Sequence, residues 1–201
     1  MIALEQTRPD VIERRKVFEE LQKMIPASKL VFIDETGVNR AMTKREAWAP
    51  IGFRAVDFVP GNRGRNVTLI GAVRLSGPVA MQTLEDSLNK ESFSRYIRSV
   101  LVPKLEPGDV VILDNCPCHN DKEALDAIES VGAFVKFLPP YSPDLNPIEM
   151  VWNALKRRFE RIDVADTAEI RAALRKAWRS LRSLPIFGLF ASCGYLLAQP
   201  L

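Results

Sequence analysis

Apolar residues recur at three- and four-residue spacing between positions 17 and 25, behind Arg8-Pro9-Asp10 and before Pro26. This periodicity predicts a helix with one buried face. The next apolar run, at residues 30–33, is short and rich in β-branched and aromatic side chains, and it ends at Asp34. We expect a buried strand there, with an acidic residue at its exit.

Residues 53–84 have the alternation of strands. Three strand-like stretches, at 53–59, 67–75 and 79–83, are separated by two turn-forming sequences at 61–66 and 76–78. Such turns between strands predict two hairpins. Helical periodicity at 93–105 and 124–131 then alternates with apolar runs at 110–113 and 134–138. Hairpins followed by alternating strands and helices predict an α/β fold with a mixed sheet and helices on both faces.

The last third of the chain begins with a proline-rich segment. Residues 138–149 read LPPYSPDLNPIE, with four prolines in twelve positions, so this segment cannot be regular until its end. Helical patterns follow at 147–161 and at 167–181. The predicted organisation is a linker helix over 1–28, one domain over 29–182 and a C-terminal tail over 183–201.

Composition limits the classes of protein that fit. With 201 residues, 47% of them hydrophobic, the chain is long enough for one sizeable core. A net charge of +3 does not by itself mark a nucleic-acid binder. Apolar runs are too short to span a membrane, and three cysteines do not make a disulfide framework. Acidic residues near the start argue against a signal peptide, so we expect a cytoplasmic protein.

Three acidic residues stand out by position. Asp34 and Asp114 each follow a predicted buried strand, and Glu149 opens the helix after the proline-rich segment. Ligands of α/β sheets gather at the carboxyl ends of strands, so the two aspartates meet if their strands are neighbours. Facing carboxylates repel one another unless a cation neutralises them, and oxygen ligands suit Mg²⁺ or Mn²⁺. Two such ions about 3.5 to 4 Å apart can promote phosphoryl transfer.

A structural interpretation competes with this one. An aspartate at a strand end is commonly a turn or cap residue. For Glu149 the alternative is sharper, because Asn146-Pro147-Ile148-Glu149 has the order of an N-cap and the first three helical positions. This is a variant of the capping box, in which the glutamate stabilises the helix start.

The flanking sequences favour the functional interpretation. VFIDETG, DNCPCH and LPPYSPDLNPIE together resemble the catalytic domain of DDE transposases of the mariner-like superfamily, in its bacterial insertion-sequence branch. The likeness runs from about Lys29 to Tyr195, and the proline-rich segment is its most specific part. It implies a ribonuclease H-like fold with a mixed five-stranded sheet. It also implies that Asp34, Asp114 and Glu149 are the catalytic, metal-binding triad for two Mg²⁺ or Mn²⁺ ions.

The resemblance also implies a reaction and partners. Water hydrolyses a phosphodiester at a transposon end, and the freed 3′-hydroxyl attacks target DNA, without a covalent protein intermediate. Transposon-end and target DNA, a second copy of the chain and a nucleoid-associated location follow from it. Relatives carry helix-turn-helix domains before the catalytic domain, but about 28 residues precede the first predicted strand here. Either split reading frames supply a separate helix-turn-helix subunit, or the chain is a truncated copy, and we do not expect it to transpose alone.

Two residues next to Asp114 extend the candidate site. Asn115 and His119 lie in the pattern D-N-x-x-x-H, where His119 either orients a carboxylate or a scissile phosphate or is a packed structural histidine. Cys116 and Cys118 beside His119 raise the question of zinc. A structural zinc site needs four ligands, and its cysteines are usually more widely spaced, so zinc is not predicted.

Basic residues supply candidate DNA contacts. Arg63 and Arg65 lie in a glycine-rich turn that suits close approach to phosphates, or that is an ordinary solvated turn. Residues 151–182 hold nine Lys/Arg against four Asp/Glu. Within this stretch we expect four residues after Glu149 to contact the DNA backbone, with a solvated helix face as the alternative: Lys156, Arg157, Arg158 and Arg161.

Two rival functions remain. A phosphatase of the haloacid dehalogenase type also begins with an apolar strand running into aspartate. It needs a second aspartate two positions later, where this chain has Thr36. A non-catalytic transposase remnant that binds DNA is the other rival, and the presence of acids at all three positions argues against it.

Overall fold

A computed structural model describes residues 4–42, 47–56, 58, 61–62, 64–84, 87–160, 162, 164 and 166–195. The helices in these ranges are α1 (Pro9–Lys23), α2 (Lys90–Tyr96), α3 (Lys122–Glu129), α4 (Pro147–Phe159), α5 (Thr167–Ser180) and α6 (Ile186–Ser192). The strands are β1 (Leu30–Val38), β2 (Val67–Arg74), β3 (Gly77–Leu84), β4 (Val110–Leu113) and β5 (Phe134–Phe137). Within these ranges, no helix has the length and apolar character needed to cross a membrane.

The five strands form one mixed sheet in the order β3-β2-β1-β4-β5. Strand β1 runs antiparallel to β2 and parallel to β4, and β4 runs parallel to β5. The parallel pairing of β1 with β4 ends at Phe32 opposite Ile112. Asp34 and Asp114 each lie two residues beyond that pair, so both acids come to the same edge of the sheet.

Two strand predictions were wrong. Strand β1 does not end at Asp34 but continues to Val38, because its antiparallel pairing with β2 continues to Val38 opposite Val67. The predicted strand at 53–59 is not formed, since its described residues, 53–56 and 58, have no regular structure and are exposed. The predicted partner of 53–59 was the strand that is now β2, and β2 is paired on both sides, by β1 and β3, so the first hairpin cannot form. One hairpin, β2–β3, replaces the predicted two.

Alternating residues of β1 supply both faces of the sheet with core side chains. Val31 and Ile33 pack with Phe93 and Tyr96 of α2. Phe32 lies on the opposite face in a larger cluster, with residues from α1, α4, α5 and α6. The prediction of helices on both faces is therefore confirmed.

Both flanking segments belong to the larger cluster. Phe18 of α1 is buried in it, and Phe190 and Tyr195 place their rings 5.4 and 4.9 Å from that of Phe32. The Tyr195 hydroxyl donates a hydrogen bond to the carbonyl of Leu145, which lies in the proline-rich segment. The two ends of the described chain thus pack against the part of the molecule that leads into α4.

Candidate active site

The three predicted acids line one cavity. It has a volume of about 430 Å³, and its wall includes Asp34, Asp114 and Glu149 together with Asn115 and much of the proline-rich segment. Strands β1 and β4 bring the two aspartates to one sheet edge. The first turn of α4 brings the glutamate to the same place, because the proline-rich segment crosses from β5 to that edge.

Asp34 is the most buried of the three acids, with 8% of its surface exposed. The indole Nε1 of Trp152 donates a hydrogen bond of 3.1 Å to its Oδ2. Burial, and then the negative charge of Glu149, raise the pKa of Asp34 to about 7. The aspartate therefore lies in an environment with too little positive charge to balance its ionised form.

Glu149 is exposed to the cavity in the first turn of α4. Partial burial raises its pKa, Lys156 opposes this rise, and Asp114 adds to it. The capping-box alternative is not realised, since the Asn146 side chain makes no cap hydrogen bond. Instead Asn146 lines the cavity, and its buried Oδ1 lacks a hydrogen-bond partner among the described residues.

Asp114 is half-buried and is held through one carboxylate oxygen. Its Oδ1 lies 2.6 Å from Nδ1 of His119 and accepts a 3.0 Å hydrogen bond from the backbone amide of Cys116. Burial alone would raise its pKa, but these two contacts hold the pKa below the ordinary value. The neighbouring Asn115 lines the cavity and donates its side-chain amide to the carbonyl of Leu138, 2.6 Å away.

His119 is fully buried between two carboxylates. Its Nε2 lies 3.3 Å from Oε2 of Glu35, opposite the nitrogen that faces Asp114, and its ring packs on Phe93 with centroids 4.7 Å apart. Neither ring nitrogen has a well-aligned hydrogen bond, so these are ion-pair contacts. Burial lowers the pKa of His119, but Asp114 and Glu35 outweigh it and raise the pKa to about 10.

Sequence reasoning missed Glu35. It follows Asp34 on β1, so its side chain points to the opposite face of the sheet. The signal was available in the Asp34-Glu35 pair itself, because alternation along a strand places one acid on each face. Glu35 lies close to His119 because of the path that the turn after β4 takes. No local sequence pattern specifies that path.

The predicted DNA-contact residues that the structure describes do not line the cavity. Lys156 is half-buried and acts on the pKa of Glu149, while Arg157 and Arg65 are exposed and Arg158 is half-buried. None of these four lines the cavity. Two further predicted DNA contacts, Arg63 and Arg161, lie outside the described residues.

Contacts to the proline-rich segment from α1, and from the turn before it at Leu4–Thr7, were also missed. The Arg15 guanidinium binds both carboxylate oxygens of Asp144, at 3.0 and 2.6 Å, and the Ser142 hydroxyl at 2.8 Å. Gln6 donates to the carbonyl of Tyr141, whose φ of 55° is the one positive value found for a non-glycine residue in the described ranges. A residue outside the segment thus stabilises the strained backbone conformation of Tyr141.

A mixed α/β sheet that carries three converging carboxylates at one edge defines a class of domain suited to metal-dependent chemistry. The sequence profile of the DDE superfamily endonuclease family matches residues 29–171. The chain therefore belongs to the DDE superfamily endonucleases, as the resemblance implied, and the haloacid dehalogenase and remnant alternatives are not favoured.

Two relatives and one solved structure are informative. The Transposable element Tcb1 transposase of Caenorhabditis briggsae is 32% identical over 68 residues, which cover 34% of this chain and 25% of that protein. The Transposable element Tc1 transposase of Caenorhabditis elegans is 28% identical over 107 residues, or 52% of this chain and 39% of that protein.

The solved structure is the Mos1 mariner paired end complex with Mn, with a TM-score of 0.72 and 17% identity. It covers 96% of this chain and 64% of the Mos1 chain. This likeness confirms the ribonuclease H-like fold. The present chain spans less than two thirds of each of these three proteins.

Proposed function

We propose that this chain is the catalytic domain of a DDE transposase of the bacterial insertion-sequence branch. It hydrolyses a phosphodiester at a transposon end and joins the freed 3′-hydroxyl to target DNA. The observation that carries the proposal is the convergence of Asp34, Asp114 and Glu149 on one cavity in a DDE superfamily domain. The relatives named as transposases support it.

The cavity fits divalent metal ions. Its donor set is three carboxylates, and the unpartnered Oδ1 of Asn146 adds a neutral oxygen in the wall. Burial first, and then the negative charge of Glu149, raise the pKa of Asp34, and a cation in the cavity would oppose this rise. We assign Asp34, Asp114 and Glu149 as ligands of two Mg²⁺ or Mn²⁺ ions. When bound, these ions would lower the pKa of water and stabilise charge on the phosphoryl oxygens.

Two of the three acids are held by contacts with neighbouring groups. Trp152 orients Asp34 through its indole, and the contacts of Asp114 with His119 and Cys116 use Oδ1, which leaves Oδ2 to a ligand. His119 is thus proposed as a positioning residue for Asp114. Asn115 donates a hydrogen bond to the carbonyl of Leu138, the residue after β5, and so stabilises this part of the cavity wall.

Six basic residues are proposed to hold DNA. Lys156 is close enough to Glu149 to act on its pKa, so a phosphate bound by Lys156 would lie beside the cavity. The proposed phosphate contacts are Arg63, Arg65, Lys156, Arg157, Arg158 and Arg161. Binding through phosphates alone is weak, poorly specific and sensitive to salt. Nanomolar, sequence-selective binding by this chain at physiological salt would contradict that assignment.

The wider assembly is also proposed. Helix α1 packs on the catalytic core through Phe18. We therefore assign the segment before β1 to the stability of this domain and not to the recognition of DNA bases. Recognition of the transposon ends would come from a helix-turn-helix subunit, and the active form would be a homodimer bound to DNA in the nucleoid. The proposed division is a linker helix over 1–28, the catalytic domain over 29–182 and a tail over 183–201.

A nicking assay tests the proposal. Supercoiled DNA is incubated with the protein in Mg²⁺ or Mn²⁺, beside Asp114→Ala, Glu149→Gln and the matched control Asp126→Asn, an exposed acid on α3. We expect metal-dependent nicking by the parent chain and by the control, and at least a hundredfold loss in the two site variants, on the order typical of removing a catalytic group.

Equal cleavage by all four proteins would overturn the triad assignment. Release of phosphate from small phosphomonoesters, without nicking, would favour the phosphatase alternative. DNA binding without either activity would favour the non-catalytic one.

A further inference from the structure

A second group of metal-ligating side chains lies behind the carboxylate cavity, on the other face of β1. It comprises Glu35, Cys118 and His119. Ligand atoms of these three residues all lie within 4.8 Å of one another. Cys116 is not a member of this group, and its Sγ atom lies 2.8 Å from that of Cys118.

The distance between the imidazole nitrogen and the carboxylate oxygen matches tetrahedral coordination. In zinc sites the nitrogen and oxygen ligands lie about 2.0 to 2.2 Å from the ion, so two of them are separated by about 3.3 to 3.5 Å across a tetrahedral angle. Nε2 of His119 and Oε2 of Glu35 are 3.3 Å apart. The two residues already hold the relative position that a shared ion requires.

The polar atoms that face this point are buried and are in ion-pair contact without an aligned hydrogen bond. His119 is fully buried, and its Nε2 and the Oε2 of Glu35 lie 3.3 Å apart. Buried polar groups normally have an aligned partner, and each exception calls for an explanation such as an ion. A cation bound by both atoms and by the Cys118 thiol would supply that partner.

The other side of the imidazole has the arrangement found around metal-bound histidines. Nδ1 of His119 lies 2.6 Å from Oδ1 of Asp114. Histidine ligands usually direct their second nitrogen at a carboxylate, which fixes the ring and makes the ligating nitrogen more basic. Asp114 is in position to do this for Nε2.

We propose that Glu35, Cys118 and His119 bind one thiophilic divalent ion of the zinc class, with the fourth position open to water. The donor set of one carboxylate, one imidazole and one thiolate suits zinc and differs from the all-oxygen set of the cavity. Sequence reasoning set zinc aside because a structural site needs four ligands and its cysteines are usually more widely spaced. Glu35 comes from β1 and is brought to the other two ligands only by the fold. The inference does not depend on transposase activity.

Cobalt titration tests the proposal on the whole chain. Metal-free protein kept under a reductant is titrated with Co²⁺, and a tetrahedral site with thiolate ligands is expected to give sulfur-to-cobalt charge-transfer absorption that saturates at one ion per chain. Addition of Zn²⁺ should abolish the absorption by displacement. Circular dichroism of each protein establishes that it is folded.

Four variants locate the site. Cys118→Ser and Glu35→Gln each keep the size of the side chain, and we expect each to weaken Co²⁺ binding by about tenfold or more. Cys193→Ala removes a buried cysteine of the larger core cluster and should leave binding unchanged. Asp34→Asn should also leave it unchanged while removing the response to Mg²⁺, which separates this site from the proposed catalytic one.

The absence of charge-transfer absorption in the parent chain would overturn the proposal. So would absorption that survives Cys118→Ser or depends on Cys193. In those cases His119 is a cationic bridge between Asp114 and Glu35 and binds no ion. If either Cys118→Ser or Glu35→Gln fails to fold, the other still decides the result.

Discussion

The indole Nε1 of Trp152 donates a 3.1 Å hydrogen bond to Oδ2 of Asp34, which joins α4 to the middle of β1. Glu149 lies three residues before Trp152 on the same helix. Helix α4 therefore carries one carboxylate of the cavity and orients another. Because Trp152 is almost completely buried, the position of α4 on the sheet sets the relative positions of both acids.

Substitution Trp152→Phe should weaken Mg²⁺ binding about tenfold to a hundredfold, since an outer-shell partner of a proposed ligand is lost. It should also lower the free energy of unfolding by about 1 to 3 kcal/mol, because a buried hydrogen bond to a carboxyl is removed. Calorimetric Mg²⁺ titration and urea unfolding measure the two effects. Trp178→Phe is the control, since its ring packs 5.7 Å from that of Trp152. Equal loss of Mg²⁺ affinity in both variants would contradict the role of the indole.

Gly71 gives a second test of the same relationship. It lies opposite Asp34 in the β1–β2 register, and a Cβ atom there would lie 2.7 Å from Cη2 of Trp152 and 3.0 Å from Cη2 of Trp178. We expect Gly71→Ala to displace the Trp152 ring, to cost about 1 to 3 kcal/mol of unfolding free energy and to weaken Mg²⁺ binding. Gly37→Ala is the matched control, because a Cβ there meets nothing within 4 Å. A Gly71→Ala protein as stable as the parent would show that Trp152 is not confined.

Asp34→Asn should stabilise the metal-free protein. The folded-state pKa of Asp34 is about 7, above the unfolded value of about 3.9. Its contribution to stability is therefore present below about pH 4 and is lost as the pH rises through about 7. Above that pH the buried charge costs free energy that a neutral asparagine avoids, while its amide oxygen still accepts from Trp152.

Urea unfolding in chelator from pH 4 to 8 measures this effect. At pH 8 we expect Asp34→Asn to raise the free energy of unfolding by an amount on the order of 1 to 4 kcal/mol and to flatten the decline between pH 4 and 7. An unchanged pH profile would mean that the ionised Asp34 is already well stabilised in the folded protein.

Arg15 should influence the cavity from outside the matched family region, which begins at residue 29. Its ion pair with Asp144 has one half-exposed partner, so Arg15→Ala should cost only about 1 kcal/mol of unfolding free energy or less. Hydrogen exchange at residues 141–148 should nevertheless become faster, and Mg²⁺ affinity should fall. The exposed neighbour Arg14 provides the control, Arg14→Ala. Exchanging the charges, with Arg15→Asp and Asp144→Arg together, should restore part of the protection if the pair itself holds the segment.

Local sequence patterns were sufficient to predict much of the fold and the three acidic residues of the site. The helices α1, α4 and α5 and the strand β4 were predicted close to their observed bounds, because periodicity and helix-terminating residues act over a few positions. The location of Asp34, Asp114 and Glu149 followed from strand ends and from a distinctive proline-rich segment. The meeting of the two aspartates needed only that β1 and β4 be neighbours, which the α/β pattern favours, whereas the place of Glu149 depended on how α4 packs on the sheet.

Contacts between distant parts of the chain were decided by the tertiary structure alone. The length of β1 depended on its pairing with β2. The strand predicted at 53–59 is not formed because both edges of β2 are already paired, with β1 and β3. The meeting of Glu35 with His119, and of Arg15 with Asp144, joins elements far apart in sequence. Local sequence determines which residues can form a strand, helix or ligand, whereas the partner of each side chain is set by the packing of whole elements, which no short pattern encodes.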